Sequence, residues 1–381
     1  MSVPLAFYAP LKPPDHLVAS GDRTIARLLV QALAAADFGV QVASAFRSFE
    51  GRGDRARQRA LRQAGRTEAR QLVARLACLP RAHRPAVWFS YHLYHKAPDW
   101  IGPLVARALG IPYVLAEASY ARKQARGPWS HGLAGTRQAI TQAACLLSLN
   151  PRDVGGLITV RGGIEGIHTL RPFLDTGPFA GPRQRERAAL AEAHGLDPAV
   201  PWLISVGMLR RGDKLASFER QARVLASLTG RPWHWLIIGD GDAAADVDRA
   251  TAPITARVTR LGALPQSAVS TWLRNSDLAV WPAINEAIGM ALLEAQAAGL
   301  PVVAGHTDGV AAVCDNAGCS VVPQTEDALT TALAQALDHR GQWAAWGAIA
   351  RASVPGIAEA GATLRRCVAP LVTGGTPPRR N

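Results

Sequence analysis

Much that a 381-residue chain could carry is missing from this one. Its five cysteines (Cys78, Cys145, Cys314, Cys319, Cys367) are scattered, odd in number and mostly set in apolar runs, and none has zinc-ligand spacing backed by another Cys or His. That excludes a disulfide scaffold and a structural zinc site, and predicts buried thiols in a reducing compartment. No apolar stretch approaches the roughly 18 residues of a membrane-spanning helix. The start, Met1-Ser-Val-Pro-Leu-Ala-Phe-Tyr-Ala-Pro, lacks the basic opening and long apolar run of a secretory signal. A cytoplasmic protein is therefore expected. There is no short-period repeat and no polar tract before the end, so the chain reads as globular, with disorder expected only in the Gly, Pro and Arg-rich tail, 373–381. Acidic residues are scarce as well: 29 against 42 lysines and arginines, a formal net charge of +13. Such an excess asks for an anionic partner, whether phosphorylated substrate, nucleic acid or anionic lipid.

Part of that charge is local. Between Arg52 and Arg75 stand eight arginines (52, 55, 57, 59, 62, 66, 70, 75) against Asp54 and Glu68, with Leu61, Leu72, Val73 and Leu76 as a weak apolar stripe. Such a helix either rests on anionic lipid headgroups or presents a solvated face. The segment has no interleaved aromatics and no recognition motif, so nucleic acid is not expected as a partner.

The remaining chain alternates strand and helix. Strands are predicted at 4–9, 40–43, 87–91, 113–115 and 145–149, with helices at 22–36, 101–109 and one ending near Ala143. Around 169–182 the texture turns to Pro and Gly, the best linker candidate. After a charged helix at 183–194 the alternation restarts. Strands are predicted at 202–206, 234–238, 258–261, 277–281, after Pro301 and at 320–322; helices at 216–228, 243–250, 267–275, 290–298 and 326–337. This pattern demands parallel sheets covered by helices. The expected fold is α/β, two doubly wound Rossmann-like domains. The first spans 1–178, the second 179–345, and a helical segment at 346–372 packs back on the first. Doubly wound sheets bind ligands outside their strand carboxyl ends.

The stretch from Trp281 to Gly305 concentrates the chemistry. Its grammar is strand end, Gly-containing loop, helix, Gly-Leu-Pro break and strand, with Glu286 and Glu294 eight residues apart. If Glu286 precedes the helix and Glu294 lies two turns inside it, both carboxylates and the free N–H groups near Ile288, Gly289 and Met290 face one crevice. Helix N-termini attract phosphate; carboxylates beside them serve hydroxyls instead, as acids do for ribose. A nucleotide sugar combines the two. Three further strand-end loops line up with this stretch. Arg210 and Lys214 follow a buried strand and could neutralise a diphosphate; Gly239 and Gly241 permit close backbone approach; Arg260, Leu261 and Gly262 could flank a base.

Taken together, Glu286 and Glu294 with Gly299-Leu-Pro-Val-Val-Ala behind them, Val206-Gly before a basic loop, and Ile237-Ile-Gly-Asp-Gly241 resemble the family 4 glycosyltransferases, retaining enzymes of the GT-B fold. The likeness covers most of 200–340. It implies GT-B architecture, the two Rossmann-like domains facing across a cleft. It implies that Glu294 holds the ribose, Glu286 touches the transferred sugar, and Arg210 and Lys214 hold the diphosphate. The backbone at Ile288, Gly289 and Met290 would cap the departing phosphate, with Gly241 and the turn of Arg260 and Leu261 near base or sugar. The chain departs from the family in its basic loop. Met208 takes the usual Arg position and the basic pair is four apart, so either Arg210 or Arg211 contacts phosphate. The family's glycine pair in the first loop is reduced to Gly21, in Ser20-Gly21-Asp22.

In the first domain Tyr91-His-Leu-Tyr-His-Lys96 follows a strand; by resemblance a histidine there lies near transferred sugar and acceptor, either His92 or His95. Glu117, after the next strand, is a further rim candidate. The expected reaction moves a hexose from a nucleoside diphosphate sugar to a hydroxyl of a glycan or lipid-linked acceptor, in cell-envelope or exopolysaccharide synthesis, with no metal cofactor. No second carboxylate is placed as a nucleophile opposite Glu286, against a two-carboxylate hydrolase. A sugar-nucleotide epimerase, a phosphorylase or a non-catalytic sugar-nucleotide binder would share the same features.

Overall fold

The computed structural model describes residues 2–17 and 20–373; the expected disordered tail, but for Thr373, lies outside them. The chain divides into two compact units, one of 1–171 with 356 onward, the other Pro172–Pro355.

The first unit holds β1 (Val3–Tyr8), α1 (Gly21–Ala35), β2 (Phe38–Ser44), α2 (Arg55–Ala77), β3 (Val87–Leu93), α3 (Gly102–Leu109), β4 (Tyr113–Ala118), α4 (Ser130–Gln142), β5 (Cys145–Ser148), α5 (Pro151–Arg161) and β6 (Ile167–Thr169). The second holds α6 (Arg187–His194), β7 (Trp202–Val206), α7 (Asp213–Ser227), β8 (His234–Ile238), α8 (Ala244–Thr251), β9 (Val258–Gly262), α9 (Gln266–Asn275), β10 (Leu278–Trp281), α10 (Met290–Ala297), β11 (Val302–Gly305), α11 (Asp308–Val313), β12 (Cys319–Val322), α12 (Glu326–Asp338) and α13 (Trp343–Ser353). The chain then returns to the first unit with α14 (Ile357–Thr373). There Arg365 pairs with Asp37, and the missing Cβ of Gly361 lets the helix lie close to Ala32 and Ala35 of α1.

Among the described residues each unit has a six-stranded sheet of parallel pairings, ordered β2-β1-β3-β4-β5-β6 and β12-β11-β10-β7-β8-β9. The strand order reverses between β1 and β3 in one unit and between β7 and β10 in the other. Loops leaving a sheet at such a reversal diverge and open a crevice. Strands buried on both faces explain the runs Val87-Trp-Phe-Ser-Tyr and Trp235-Leu-Ile-Ile, which are apolar without alternation.

The Arg-rich segment is the helix α2. Asp54 caps it, accepting from Ala56 and Arg57 N–H, and Leu61, Gly65, Ala69, Leu72 and Leu76 recur every three or four residues on its buried face. Gly65 is required there, since a Cβ would stand 2.6 Å from that of Trp100. Several boundaries differ from the sequence reading. The second unit runs Pro172–Pro355 rather than 179–345, so of the expected 346–372 segment only the part from Gly356 returns to the first unit. The helix α5 and edge strand β6 lie where only the approach to a linker was expected; their short, weakly patterned sequences carry little periodicity. β3 and β4 extend two and three residues further, so His92 and Glu117 lie inside strand ends rather than after them. α7 begins at Asp213, which puts Lys214 on a helix rather than in the loop. α6 begins at Arg187; Arg183 instead donates to the carbonyls of Gly299 and Ser276.

Candidate functional site

At the strand-order reversal of the second unit, the loops after β7 and β10 meet. Lys214 Nζ lies 2.5 Å from Glu286 Oε2, which also accepts from Trp281 Nε1 at 3.0 Å; the ammonium sits 5.0 Å from the Trp281 ring centroid. Both side chains are only 20% and 16% exposed, so the pair is far less screened than a surface bridge. The loop is held from several sides. Asn285 Nδ2 donates to Asp213 (3.0 Å), the Ile284 N–H to Ser217 Oγ (3.1 Å) and Thr307 Oγ1 to the Glu286 carbonyl (2.9 Å). Ala283 and Asn285 have φ of 57° and 51°, a left-handed conformation that non-glycine residues adopt at a cost and that clusters at functional sites.

Gly289 follows at φ 82° as N-cap of α10, which therefore starts without a side-chain cap. The first amides of the helix are left for an outside acceptor, beside the positive end of its dipole. Ile288 is buried and Met290 half-buried at this start. Glu294 is the fifth residue of α10, little more than one turn in, not two; it accepts from Gln266 Nε2 of α9 at 3.2 Å. Burial pushes its carboxyl up to about 7, the Gln266 bond opposing. Glu286 and Glu294 share no hydrogen-bond partner among the described residues.

The two basic candidates of the neighbouring loop differ in their partners. Arg211 pairs with Asp246 (3.4 Å), whereas Arg210 is exposed and makes no ion pair among the described residues. Arg260 is already engaged, held by both carboxylate oxygens of Asp248 (2.7 and 2.8 Å) and by the Ala244 carbonyl, with Asp240 3.8 Å away; Leu261 beside it is half-buried. Gly239 and Gly241 have a packing reason of their own. With φ of 138° and 157°, a Cβ on them would meet the carbonyls of Gly207 and Leu209 at 1.8 and 2.2 Å, so the loops after β7 and β8 lie backbone against backbone.

The first unit repeats the arrangement. At its reversal Asp22, in the first turn of α1, stands 3.2 Å from Nδ1 of His92 at the end of β3, and Glu117 stands 4.0 Å from it at the end of β4. His92 and Glu117 have φ of 55° and 54°, and Glu117 Oε2 and the Tyr91 hydroxyl are buried without hydrogen-bond partners among the described residues. Burial works against the imidazolium but the two carboxylates prevail, holding His92 up at about 9. His95 is in the opposite field: burial, Lys96 and Lys123 lower its pKa. Sequence reading had no signal for Asp22 as the partner of His92, because 70 residues separate them.

The fold is GT-B. Residues 200–339 match the family model described as Glycosyl transferases group 1. The resemblance to family 4 glycosyltransferases thus holds over the segment that carried it. Among curated proteins, D-inositol 3-phosphate glycosyltransferase 2 of Catenulispora acidiphila is 26% identical over 291 residues, 68% of this chain and 65% of that protein. The chain therefore spans about two thirds of that relative's length. Sucrose-phosphate synthase from Thermosynechococcus elongatus shares the fold with a TM-score of 0.70 at 16% identity, over 97% of this chain and 99% of that one. HepE of Anabaena, solved with UDP-glucose, shares it with a TM-score of 0.67 at 15% identity, over 96% and 99%. Among the described residues no helix is long and apolar enough to cross a membrane.

Proposed function

We propose that the chain transfers a hexose from a nucleoside diphosphate sugar to a hydroxyl acceptor, with retention at the anomeric carbon. The observation that carries this reading is the Lys214–Glu286 pair at the strand-order reversal of the second unit, one short loop from an uncapped helix start. Negative charge grows on the diphosphate as it departs. Lys214, the unpaired Arg210 and the amides at Ile288, Gly289 and Met290 meet that growing charge, stabilising the transition state more than the ground state. Cationic side chains and amides supply here what a metal supplies elsewhere, so no metal is needed.

Glu294 takes the ribose hydroxyls, and Glu286 a hydroxyl of the transferred sugar. Gly241 and the turn at Arg260 and Leu261 lie toward base or sugar, and His92 serves the acceptor side. Uridine diphosphate is the first nucleotide to test, since HepE was solved with UDP-glucose. The acceptor is a glycan or lipid-linked hydroxyl of the cell envelope or an exopolysaccharide. The outward guanidinium groups of α2, such as Arg66 and Arg70, rest the protein on the anionic inner face of a membrane.

Thermal-shift screening with UDP, GDP, ADP and their sugars tests the donor, because a ligand specific for the native state raises its unfolding temperature by mass action. One nucleotide is expected to stabilise the wild type and to lose most of that effect in Glu294→Ala. Equal shifts in the two proteins would sink the assignment.

A further inference from the structure

One side-chain amide ties together the ends of three neighbouring strands beside Glu286. Gln324, just past β12, donates from Nε2 to the carbonyls of Pro282 (3.0 Å), Ala283 (3.2 Å) and His306 (3.1 Å), which stand just past β10 and β11. Its Oε1 accepts from Arg220 Nη1 of α7 at 2.7 Å, and its backbone carbonyl accepts from the same nitrogen at 3.2 Å. The amide has only one workable orientation, because carbonyls face its nitrogen and a guanidinium, which can only donate, faces its oxygen. An apolar side chain here would strip three carbonyls of this donor.

The carbonyls that Gln324 gathers belong to the most constrained part of the second unit's site. Ala283 is fully buried with φ of 57°, Ile284 donates its N–H to Ser217 Oγ, and Glu286 follows two residues on. The approach from β11 is fixed as closely. A Cβ on Gly305 would meet the Pro282 carbonyl oxygen at 2.0 Å and Gln324 Nε2 at 2.7 Å, and one on Gly309 would meet the Ala287 carbonyl oxygen at 1.7 Å. Asp213, Lys214, Ser217 and Arg220 recur every three or four residues along one side of α7. Each holds part of the same loop: Asn285, Glu286, the Ile284 amide and, through Gln324, the turn at Pro282 and Ala283.

We propose that Gln324 is a positioning residue for Glu286. With Arg220 behind it, it holds the left-handed turn at Ala283 so that the carboxylate meets Lys214 in the ligand-free protein and the sugar when a donor is bound. For its catalytic consequence this rests on the glycosyl-transfer reading, in which Glu286 touches the transferred sugar.

Acetylation of the full chain by an activated ester, read lysine by lysine by mass spectrometry, provides the test, since Lys12, Lys96 and Lys123 are the only other lysines and serve as controls. In Gln324→Leu the Lys214 rate should rise roughly tenfold over the controls, the scale of losing one charge-assisted hydrogen bond. In Glu286→Gln, where the partner charge is already gone, adding Gln324→Leu should leave the Lys214 rate where it was; a merely structural role would raise it again. Arg220→Met keeps the question open to test if Gln324→Leu does not fold: it should raise the Lys214 rate, and Arg220→Lys should bring it back. Turnover of UDP-glucose by Gln324→Leu should fall by roughly 10–10²-fold, the scale of a small misplacement at a reacting centre, while UDP binds no less tightly than to the wild type. An unmoved Lys214 rate, a rise shared with the control lysines, a rise that persists in the Glu286→Gln background, or unchanged turnover would each overturn the proposal. A selective rise in a protein that neither binds UDP nor turns over UDP-glucose would leave the positioning standing and remove the donor reading. UDP binding with the Lys214 rate unmoved would remove the positioning alone.

Discussion

Glu286→Gln separates nucleotide binding from turnover in a way only this geometry predicts. Without ligand, Lys214 is neutralised by Glu286 at 2.5 Å, so a diphosphate must draw the ammonium away before using it. At an effective dielectric of about 20, opposite unit charges about 4 Å apart attract by ~4 kcal/mol. Desolvation of two largely buried ions offsets much of that, leaving ~1–2 kcal/mol of net competition. Glutamine keeps the shape and a carbonyl oxygen for Trp281 Nε1 but discards the charge. UDP is therefore expected to bind roughly 5–30-fold more tightly, at about 1.4 kcal/mol per factor of ten. Sugar transfer should fall by roughly 10²–10³, the scale of losing one oriented polar group at a reacting centre. Titration calorimetry with UDP at two salt concentrations, paired with an assay of sugar transfer, reads both quantities. Unchanged or weakened UDP binding in Glu286→Gln would refute the competition argument.

Lys214→Ala should lower turnover more than nucleotide affinity; a change in KM alone would contradict a transition-state role. The elevated pKa of His92 has a fixed sign. Its imidazolium stabilises the fold fully below about 6.5, and that contribution disappears as pH rises through about 9, with a ceiling of ~3 kcal/mol. Denaturant unfolding at pH 6 and pH 9.5 should show the loss in the wild type and not in His92→Gln; parallel pH dependence would dismiss it. The carboxyl of Glu294, held up at about 7, runs the same way: it is tolerated below its ordinary range and costs stability as pH rises through 7. Glu294→Gln should accordingly raise the unfolding temperature at pH 8 while weakening nucleotide binding, and a lower unfolding temperature at that pH would contradict this. Gly239→Ala places a Cβ 1.8 Å from the Gly207 carbonyl at φ 138° and should destabilise by roughly 3 kcal/mol or more, well above the usual range for a surface loop, by thermal unfolding.

Period and punctuation in the sequence suffice for the alternation of strands and helices, because a strand buried on both faces must be apolar throughout and Gly299 with Pro301 must end a helix. The order of residues along the chain likewise puts Arg210, Glu286 and the helix start of Met290 at the carboxyl ends of strands, since a doubly wound sheet leaves no other place for those loops. What lay beyond sequence reading is pairing. Lys214 and Glu286 are 72 residues apart, and Asp22 and His92 are 70 apart; each pair meets only because the strand order reverses between the strands that carry them. The pairing of Arg211, and not Arg210, with Asp246 likewise depends on a residue of the next crossover whose reach cannot be read from spacing. Charge, unlike hydrophobic period, has no local signature of its partner: eight arginines in one segment announce a basic helix, but which guanidinium groups face water, ring or ligand is decided by what the tertiary structure packs against them.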